Sequence, residues 1–305
     1  MSDARVTSLC LVEPAAFGFN AETAQSNRFQ QNVDLPAAAA SARNEFAALV
    51  SRLRAAQIRV CIAQDTPSPI KPDAIFPNNW VSFHQDGTLV LYPMQSVLRR
   101  AERREAVIDC VKQTLGFRET RRIDLTAEEV RGRHLEGTGS LVLDHDARIA
   151  YACRSSRTDE SLVREWGRLM DYEPFLFDAA TRDGAAVYHT NVLLWIGAGI
   201  AGVGLEWVSA SQRDGLLARL RASGKTVMLL DDAQLHAFAG NMLEVPSAAN
   251  RRHLVMSQSA AASLRSDQQG ALRDAGCVPL VSAVPTIERL GGGSVRCMLA
   301  EVPAS

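Results

Sequence analysis

The stretch NVLLWIGAGIAGVGLEWVSASQRDGLLARLRASGKTVMLL (191–230) contains one complete supersecondary unit. Two runs of strand-forming residues, NVLLWI and IAGVGLEWV, flank the turn residues GAG (197–199), which is the pattern of a β-hairpin. A helical segment follows over 212–223 and ends at Gly224, a residue that commonly terminates helices. TVMLL then reads as a further strand. The stretch therefore predicts the order strand, strand, helix, strand.

The same order recurs along the whole chain. Helices are predicted to end near residues 57, 116, 171, 224 and 276, at regular separations of 52 to 59 residues. Other predicted hairpins surround QDG (85–87), HDA (145–147) and PSAANRR (246–252), while SLCLV (8–12) and SVRCMLAEV (294–302) supply the first hairpin from opposite chain ends. Such spacing indicates internal repeats. We predict an α/β fold of five ββαβ units that close a ring and leave no exposed sheet edge.

The composition is that of a globular protein, and no linker interrupts it, so we predict a single domain over 1–305. The 305 residues are 47% hydrophobic and 22% charged, with 33 Lys and Arg against 34 Asp and Glu. A net charge of -1 without a basic stripe is not typical of a protein that binds nucleic acid or an anionic membrane. The arginine clusters at 99–104 and 118–122 are interpreted as the solvated faces of a helix and a strand.

Targeting signals and disulfide motifs are not recognisable in the sequence. The N-terminal residues lack the apolar core of a signal peptide, and four glycines interrupt the longest apolar run, 192–205, which is too short to span a bilayer. The six cysteines show no CxxC spacing and are interpreted as reduced thiols. These features predict a cytoplasmic protein without a membrane partner. They leave a monomer and a homo-oligomer both open.

Each repeat carries a polar or glycine-rich string just before or within its first hairpin strand. The strings are FPNNW (76–80), HLEGTGS (134–140), VYHTN (187–191), FAGNM (238–242) and GGGSVRC (291–297). In a closed ring of five equivalent units, equivalent positions face a common axis. We therefore expect one central cleft lined by residues from all five strings: Asn78, Asn79, Glu136, His189, Asn191, Asn241 and Cys297.

A cysteine, a histidine and a carboxylate in one cleft are sufficient for covalent catalysis. Cys297 would supply the nucleophile, His189 would move protons, and Glu136 would hold the substrate or orient the base. Taken singly, each residue has a plainer interpretation: an apolar filler, a structural histidine and a buried hydrogen-bond acceptor. Their occurrence at equivalent repeat positions favours catalysis.

The five strings, in this order, resemble those of the guanidine-modifying (pentein) superfamily, which includes arginine deiminases, dimethylarginine dimethylaminohydrolases and amidinotransferases. GFNAETAQSNRFQ (18–30) and FPNNWVSFH (76–84) are most similar to the bacterial amidinotransferase-like or citrulline-utilisation hydrolase group. The resemblance covers nearly the whole chain. It implies a five-bladed α/β-propeller with Cys297 as nucleophile, His189 as catalytic histidine and Glu136 as substrate-binding glutamate.

The resemblance also implies a carboxylate-binding arginine. SSRTD (155–159) is similar to the family string whose arginine binds the α-carboxylate of the substrate, which places Arg157 in that role. A guanidinium can hold a carboxylate through two parallel hydrogen bonds, which a lysine cannot do. The plainer interpretation of Arg157 is a surface charge that precedes a helix, and both interpretations stay open.

Two departures from the family pattern bear on the substrate. Asn79 and Asn191 occupy positions where the resemblance implies aspartates in arginine-directed members. A guanidinium would lose two buried ion partners there, whereas a neutral ureido group matches an amide that both donates and accepts. The implied reaction is hydrolysis of the ureido C–N bond of citrulline to ornithine, CO2 and ammonia through an S-carbamoyl cysteine, without a metal or organic cofactor. Asn78 and Asn241 are further candidates for substrate binding.

Other interpretations compete with this one. The alternative reaction is arginine-directed chemistry by a dihydrolase, deiminase or amidinotransferase, and the non-enzymatic alternative is a ring scaffold of the same fold. GAGIAG (197–202) satisfies the dinucleotide-binding fingerprint, but a strand rather than the required helix follows it. G-x-S-x-G and H-E-x-x-H do not occur, so serine hydrolases and zinc proteases are not expected.

Residues 11–32 have few periodic apolar positions. Phe17, Phe19, Asn20 and Asn27 nevertheless combine aromatic and polar character in this stretch. We interpret it as a loop that could serve as a lid over the cleft, with an ordinary surface loop as the alternative.

Overall fold

The computed structural model describes residues 7–33, 35 and 37–303. The outermost residues of the predicted 1–305 domain lie outside this part of the chain. The fifteen strands within it are β1 (Thr7–Glu13), β2 (Val60–Gln64), β3 (Val81–Phe83), β4 (Thr88–Leu91), β5 (Arg121–Asp124), β6 (Val142–Asp144), β7 (Ile149–Cys153), β8 (Glu173–Phe177), β9 (Leu194–Ile196), β10 (Ile200–Val203), β11 (Thr226–Leu229), β12 (Leu243–Pro246), β13 (Arg252–Ser257), β14 (Cys277–Ser282) and β15 (Ala300–Pro303).

Helices connect and cover these strands. The α-helices in the same part of the chain are α1 (Ala21–Ala24), α2 (Ala38–Ala55), α3 (Val97–Arg100), α4 (Glu105–Leu115), α5 (Gly137–Ser140), α6 (Glu160–Met170), α7 (Arg213–Ala222), α8 (Asp232–His236), α9 (Gln258–Ser263), α10 (Ser266–Asp274) and α11 (Pro285–Gly291). The five predicted helix ends are confirmed, because α2, α4, α6, α7 and α10 each end within two residues of the predicted position.

Five small mixed sheets of one topology make up the fold. Their strand orders are β15-β1-β2, β3-β4-β5, β6-β7-β8, β9-β10-β11 and β12-β13-β14. In each sheet two strands are antiparallel and the third joins in parallel after a helix, which confirms the predicted repeat. The first hairpin forms from opposite chain ends as predicted, with Ser8 opposite Val302.

Local sequence explains why each helix begins and ends where it does. In α6, the Asp159 side chain accepts a hydrogen bond from the backbone N–H of Leu162 and caps the first turn. The buried face contains Leu162, Val163 and Trp166 at helical spacing, and Asp171 ends the helix in the left-handed conformation. The apolar face of α6 packs on its own sheet through β8.

The turns that carry the polar strings meet each other. Three of them are short 3-10 segments, Pro77–Asn79, Thr190–Val192 and Val295–Met298. The first contacts both α5 and the third, and α5 also contacts the second. Strings more than 200 residues apart therefore lie side by side.

GAGIAG (197–202) forms a hairpin turn rather than a dinucleotide loop. Gly197 donates its N–H to the carbonyl of Ile200 at 2.8 Å, and β10 follows directly. The predicted hairpin is thus confirmed. In the described part of the chain, no helix combines the length and apolarity that crossing a bilayer requires.

Candidate active site

A small buried cavity of about 20 Å³ lies where the polar strings meet, with room for roughly one water molecule. Three residues predicted to line the cleft, Asn79, His189 and Cys297, line it together with Arg157, the predicted carboxylate-binding residue. The remaining lining residues are Thr23, Asn27, Asp73, Phe76, Arg99, Tyr188, Gly291 and Gly293. Sulfur and imidazole, which come from different repeats, thus face one shared space.

Cys297 lies in the 3-10 turn Val295–Met298 and is buried. The Asn241 side-chain amide donates to Sγ at 3.3 Å and the Asn191 amide at 3.7 Å. Asn241 is held in this orientation because its Oδ1 accepts the backbone N–H of Arg296 at 3.1 Å. Burial raises the pKa of the Cys297 thiol, and the Asn241 hydrogen bond opposes that shift. Two neutral amides therefore contact the sulfur and partly offset the burial that keeps it a thiol.

His189 is oriented by Glu136. Its Nε2 lies 2.8 Å from Glu136 Oε2. Although burial acts to raise it, the Arg157 guanidinium and the His189 hydrogen bond hold the pKa of Glu136 well below its usual range. The ionised carboxylate only accepts hydrogen bonds, so Nε2 carries the proton and Nδ1 has the free lone pair. Burial lowers the pKa of His189 to about 4, which leaves a neutral imidazole able to act as a base.

Gly139 allows the strings to approach this closely. A Cβ at Gly139 would lie 2.5 Å from Asn79 Nδ2 and 2.7 Å from His189 Nδ1. Both distances are too short for any real Cβ contact, so a side chain here would displace the amide and the imidazole. Gly139, the second glycine of HLEGTGS (134–140), is therefore a packing requirement of the site.

Asn79 presents an amide N–H to the cavity. Arg99 Nη1 donates to Asn79 Oδ1 at 2.9 Å. Since a guanidinium has only donors, the amide oxygen must face Arg99 and the amide nitrogen must face away. That nitrogen is buried and has no hydrogen-bond partner. A buried donor of this kind is available to an acceptor.

A buried ion cluster also borders the cavity. Arg99 pairs with both oxygens of Glu102, at 2.9 and 3.0 Å, and its Nε lies 3.8 Å from Asp73. Asp73 Oδ2 accepts from the Asn20 amide at 2.8 Å, whereas Asp73 Oδ1 has no hydrogen-bond partner. Burial raises the pKa of Asp73. The cavity therefore contains a carboxylate oxygen free to bind a donor.

The interpretation of the 99–104 cluster as a solvated helix face is wrong for Arg99, which is only 3% exposed. Its charge is tolerated inside because three carboxylates surround it, at Asp73, Glu102 and Glu136. The sequence could not reveal this burial, because the i,i+3 spacing of Arg99 and Glu102 is equally common on protein surfaces. Asp73 lies in a proline-rich segment, where nothing marks it as a partner of Arg99. The 118–122 cluster is exposed as predicted at Arg118, Arg121 and Arg122.

Residues 11–32 lie over the cavity. The loop prediction is wrong at residues 11–13, which belong to β1, and at α1, and the stretch supplies Thr23 of α1 and Asn27 after it to the lining. Arg157 Nη2 donates to the Thr23 carbonyl at 2.8 Å and to Ser26 Oγ at 2.7 Å. The Asn27 amide donates to the carbonyls of Gly291 and Gly292. Hydrogen bonds thus hold residues 11–32 to Arg157 and to the backbone that precedes Cys297.

Some predicted residues lie beside the cavity rather than in it. Glu136 and Asn241 act from behind His189 and Cys297, as described above. The Asn78 amide donates to Thr138 Oγ1 at 3.3 Å and supports the wall. Asn191 borders a separate cavity of about 210 Å³ that Cys297 does not line. Among the described residues, no cluster of three or more His, Cys, Asp or Glu side chains could hold a metal ion.

Residues 13–304 match the protein family described as N,N-dimethylarginine dimethylhydrolase, eukaryotic. No curated protein matches the chain in sequence. Among solved structures, the substrate-bound N-terminal domain of ArgZ, an arginine dihydrolase from the ornithine-ammonia cycle in cyanobacteria, is similar with a TM-score of 0.77 and 13% identity, covering 97% of this chain and 98% of that chain.

Two further structures share the fold. AgrE in a ternary complex with ornithine and NAD+ matches with a TM-score of 0.77 and 14% identity, covering 98% of this chain and 39% of that one. The adduct of a dimethylarginine dimethylaminohydrolase with S-methyl-L-thiocitrulline matches with a TM-score of 0.67 and 11% identity, covering 98% and 100%. At these identities the likeness establishes the α/β fold of the chain.

Proposed function

Because this chain belongs to the N,N-dimethylarginine dimethylhydrolase family of guanidine-modifying (pentein) enzymes, we propose that it hydrolyses the ureido C–N bond of citrulline. The products are ornithine, CO2 and ammonia, and the reaction proceeds through an S-carbamoyl intermediate on Cys297. The substrate is a small free amino acid.

The orientation of Asn79 carries the choice of a ureido substrate. Its amide nitrogen is a buried donor without a partner, while its oxygen is engaged by Arg99. A guanidinium consists only of donors and would meet this N–H donor to donor. A ureido carbonyl oxygen accepts it, and the charge that grows on that oxygen during attack strengthens the same hydrogen bond.

Two charged residues of the site suit the two ionic groups on the α-carbon of an amino acid. Arg157 already binds the Thr23 carbonyl and Ser26 hydroxyl, and the α-carboxylate replaces these acceptors with a stronger, charge-assisted contact. The free Oδ1 of Asp73 accepts from the α-ammonium group. Residues 11–32 must open for this exchange, because a cavity of about 20 Å³ cannot hold an amino acid.

The first half-reaction transfers the carbamoyl group to sulfur. At neutral pH the thiol of Cys297 and the imidazole of His189 are both uncharged, because burial disfavours their ionised forms. The sulfur attacks the ureido carbon as its proton passes to His189 Nδ1. The tetrahedral intermediate then collapses, the C–Nδ bond breaks, and His189 returns the proton to the departing ornithine nitrogen.

The second half-reaction restores the thiol. His189 Nδ1 removes a proton from a water molecule, which attacks the S-carbamoyl carbon. The C–S bond breaks, the sulfur recovers the proton, and carbamate leaves and decomposes to CO2 and ammonia. Glu136 stays ionised throughout and stabilises the transient imidazolium, to which it is hydrogen-bonded at 2.8 Å.

One observation favours a second candidate, hydrolysis of arginine. The unpartnered Oδ1 of Asp73 could pair with a guanidinium as well as with an ammonium group. In that case the Asn79 amide would face a donor and lose its hydrogen bond, and Asn191 would supply no charge beside the sulfur. The two candidates therefore differ in which end of the substrate Asp73 binds.

Product analysis with citrulline and arginine side by side tests the proposal. The expected result is ornithine and ammonia from citrulline, nothing from arginine, and no products from either with Cys297→Ala. Ornithine from arginine would support a dihydrolase instead, and citrulline from arginine a deiminase. Turnover of arginine only in the presence of an amine acceptor would indicate amidinotransfer. No turnover or binding of either amino acid would support a ring scaffold.

We also propose that the five sheets are the blades of a single closed ring. The support is that three pairs of consecutive sheets contact each other through their strands, with β15 against β3, β6 against β9, and β9 against β12. The polar turns of the repeats also meet at the cavity. This arrangement makes the described chain one domain.

A further inference from the structure

Three cysteines outside the proposed active site lie together where α4 packs on β2. The sulfur atoms of Cys61 and Cys110 are 2.8 Å apart, closer than two unbonded sulfur atoms normally come. Cys10 stands beside Cys61 as its partner in the parallel pairing of β1 and β2. The two close sulfurs belong to consecutive repeats, since β2 ends the first unit and α4 is the helix of the second.

One sulfur of the pair is accessible and the other is reactive. Cys110 is partly exposed, whereas Cys61 and Cys10 are fully buried. Hydrogen bonds from Cys10 and Cys110 outweigh the effect of burial and lower the pKa of Cys61 to about 6. A substantial fraction of Cys61 is then thiolate at neutral pH, the form that reacts with oxidants. Cys110 is therefore the more accessible of the two sulfurs.

The remaining cysteines differ from this pair. Cys153 hydrogen-bonds with Thr190, and Cys277 donates to Glu244 at 3.0 Å. Burial raises the pKa of each of these two thiols to about 12. Cys297 is surrounded by amides rather than by another thiol. Among the described cysteines, only Cys61 and Cys110 therefore have sulfur atoms as close as 2.8 Å.

We propose that Cys61 and Cys110 form a redox modification site, which hydrogen peroxide converts into a reversible disulfide. The Cys61 thiolate attacks one peroxide oxygen, the O–O bond breaks, and sulfenic acid and hydroxide form. The Cys110 sulfur then attacks the sulfenic sulfur and displaces its hydroxyl group. In total two thiols and one peroxide give one disulfide and two waters, and two electrons pass from sulfur to oxygen. Reduction by a low-molecular-weight thiol reverses the change.

The disulfide would tie the first repeat to the second. The enclosed segment, residues 62–109, contains Asp73, Asn79 and Arg99, which line the cavity. A crosslink that closes a loop of this length lowers the conformational entropy of the unfolded chain and so stabilises the folded protein. We expect the melting temperature of the oxidised protein to rise by about 5 °C over the reduced form.

Peptide mapping after peroxide treatment tests the site. The full chain is exposed to hydrogen peroxide, its free thiols are blocked with iodoacetamide, and it is digested with trypsin without reduction. Cleavage after Arg59, Arg99, Arg104 and Lys112 places the two cysteines in separate peptides, 60–99 and 105–112, because the Lys71–Pro72 bond resists trypsin. The expected result is a linked pair of these peptides, which dithiothreitol separates.

Matched variants make the result specific. Cys61→Ser and Cys110→Ser should each abolish the linked peptides and the rise in melting temperature, while Cys153→Ser should keep both. Peroxide treatment that leaves peptides 60–99 and 105–112 unlinked in wild type would overturn the proposal. A disulfide from Cys61 to Cys10 instead would overturn it too. The readout does not depend on turnover, so failure of the citrulline proposal would leave it intact.

Discussion

The two sides of the cavity differ in charge. Around Cys297, the groups that touch the sulfur are the neutral amides of Asn191 and Asn241. On the other side, ions dominate: three carboxylates at Asp73, Glu102 and Glu136 face two guanidinium groups at Arg99 and Arg157. The neutral side surrounds the proposed nucleophile, and the ionic side holds charged groups with no proposed covalent role.

In the proposed reaction, this difference is the basis on which the site selects an uncharged reacting carbon within a charged molecule. An amino acid such as citrulline is ionic at its α-carbon and neutral at its ureido group, so its two ends match the two sides. Asn79 links the sides, since its oxygen contacts the ion cluster through Arg99 and its nitrogen faces the cavity. The substitutions below alter one side at a time.

Removing the sulfur from the neutral side should have the largest effect. Cys297→Ala should lower ornithine release from citrulline by about 10⁴-fold or more, on the scale seen when a covalent nucleophile is deleted. Binding of citrulline should persist, because the ionic side is intact. Rates come from an ornithine assay and binding from calorimetry, with Cys277→Ala as the control. Activity above a tenth of wild type would show that the sulfur is not the nucleophile.

Placing a charge at Asn79, which lies between the two sides of the cavity, should shift the substrate preference from citrulline towards arginine. Asn79→Asp adds a carboxylate beside Arg99, removes the N–H donor and leaves the ureido oxygen without a partner. We expect kcat/KM for citrulline to fall by about 10²-fold, the scale of losing one oxyanion donor, while the ratio of arginine to citrulline turnover rises. Asn191→Asp should act in the same direction.

The exposed position Asn250 provides a matched control for this prediction, because Asn250→Asp adds the same charge on the surface. Competition assays with both amino acids measure the ratio directly. An unchanged ratio in Asn79→Asp would remove the basis for a ureido substrate.

A purely steric change at Gly139, which packs against Asn79 and His189, should lower the activity by a smaller factor. A methyl group at Gly139 would overlap Asn79 Nδ2 and His189 Nδ1. Gly139→Ala should therefore lower kcat by about 10-fold or more, since small displacements of reacting groups are costly. In Gly215→Ala, the new Cβ has only a 3.8 Å contact with Phe175, and activity should not change. Equal activity of the two variants would contradict the packing requirement.

The smallest effect concerns the pH dependence. Burial lowers the pKa of His189 to about 4 from an ordinary value of 6.5, so its lone pair is lost only near pH 4. We expect kcat/KM to stay level between pH 8 and 6 and to fall towards pH 4. A fall in kcat/KM centred near pH 6.5 would instead show that His189 has the pKa of an ordinary, solvated histidine.

The lowered pKa of His189 also makes the free energy of unfolding depend on pH. The unfolded chain binds a proton at His189 below pH 6.5 while the folded protein does not, so stability declines as the pH falls from 6.5 towards 4. Burial lowers the pKa of His84 to about 3, which adds a decline of the same sign. Circular dichroism at each pH separates this loss of folded protein from the loss of the base.

The repeat could be predicted from the sequence because its signals are local. The spacing of apolar residues in Leu162–Met170, the glycines that end helices and the polar strings before each hairpin all lie within short windows. They led to the five units and to the group Cys297, His189 and Glu136 as candidates. The hairpin between the chain ends was also predictable, since the repeat required a partner for SLCLV.

The ionic side of the cavity was not predictable, because tertiary contacts determine it. Arg99 is buried only because Asp73 and Glu136 reach it from distant segments, and the same arginine decides which way the Asn79 amide points. The approach of Cys61 to Cys110 likewise depends on how α4 packs on β2. Periodicity within a segment determines its helix or strand, but burial of a charge and the direction of a side-chain donor depend on partners that only the folded chain brings within hydrogen-bonding distance.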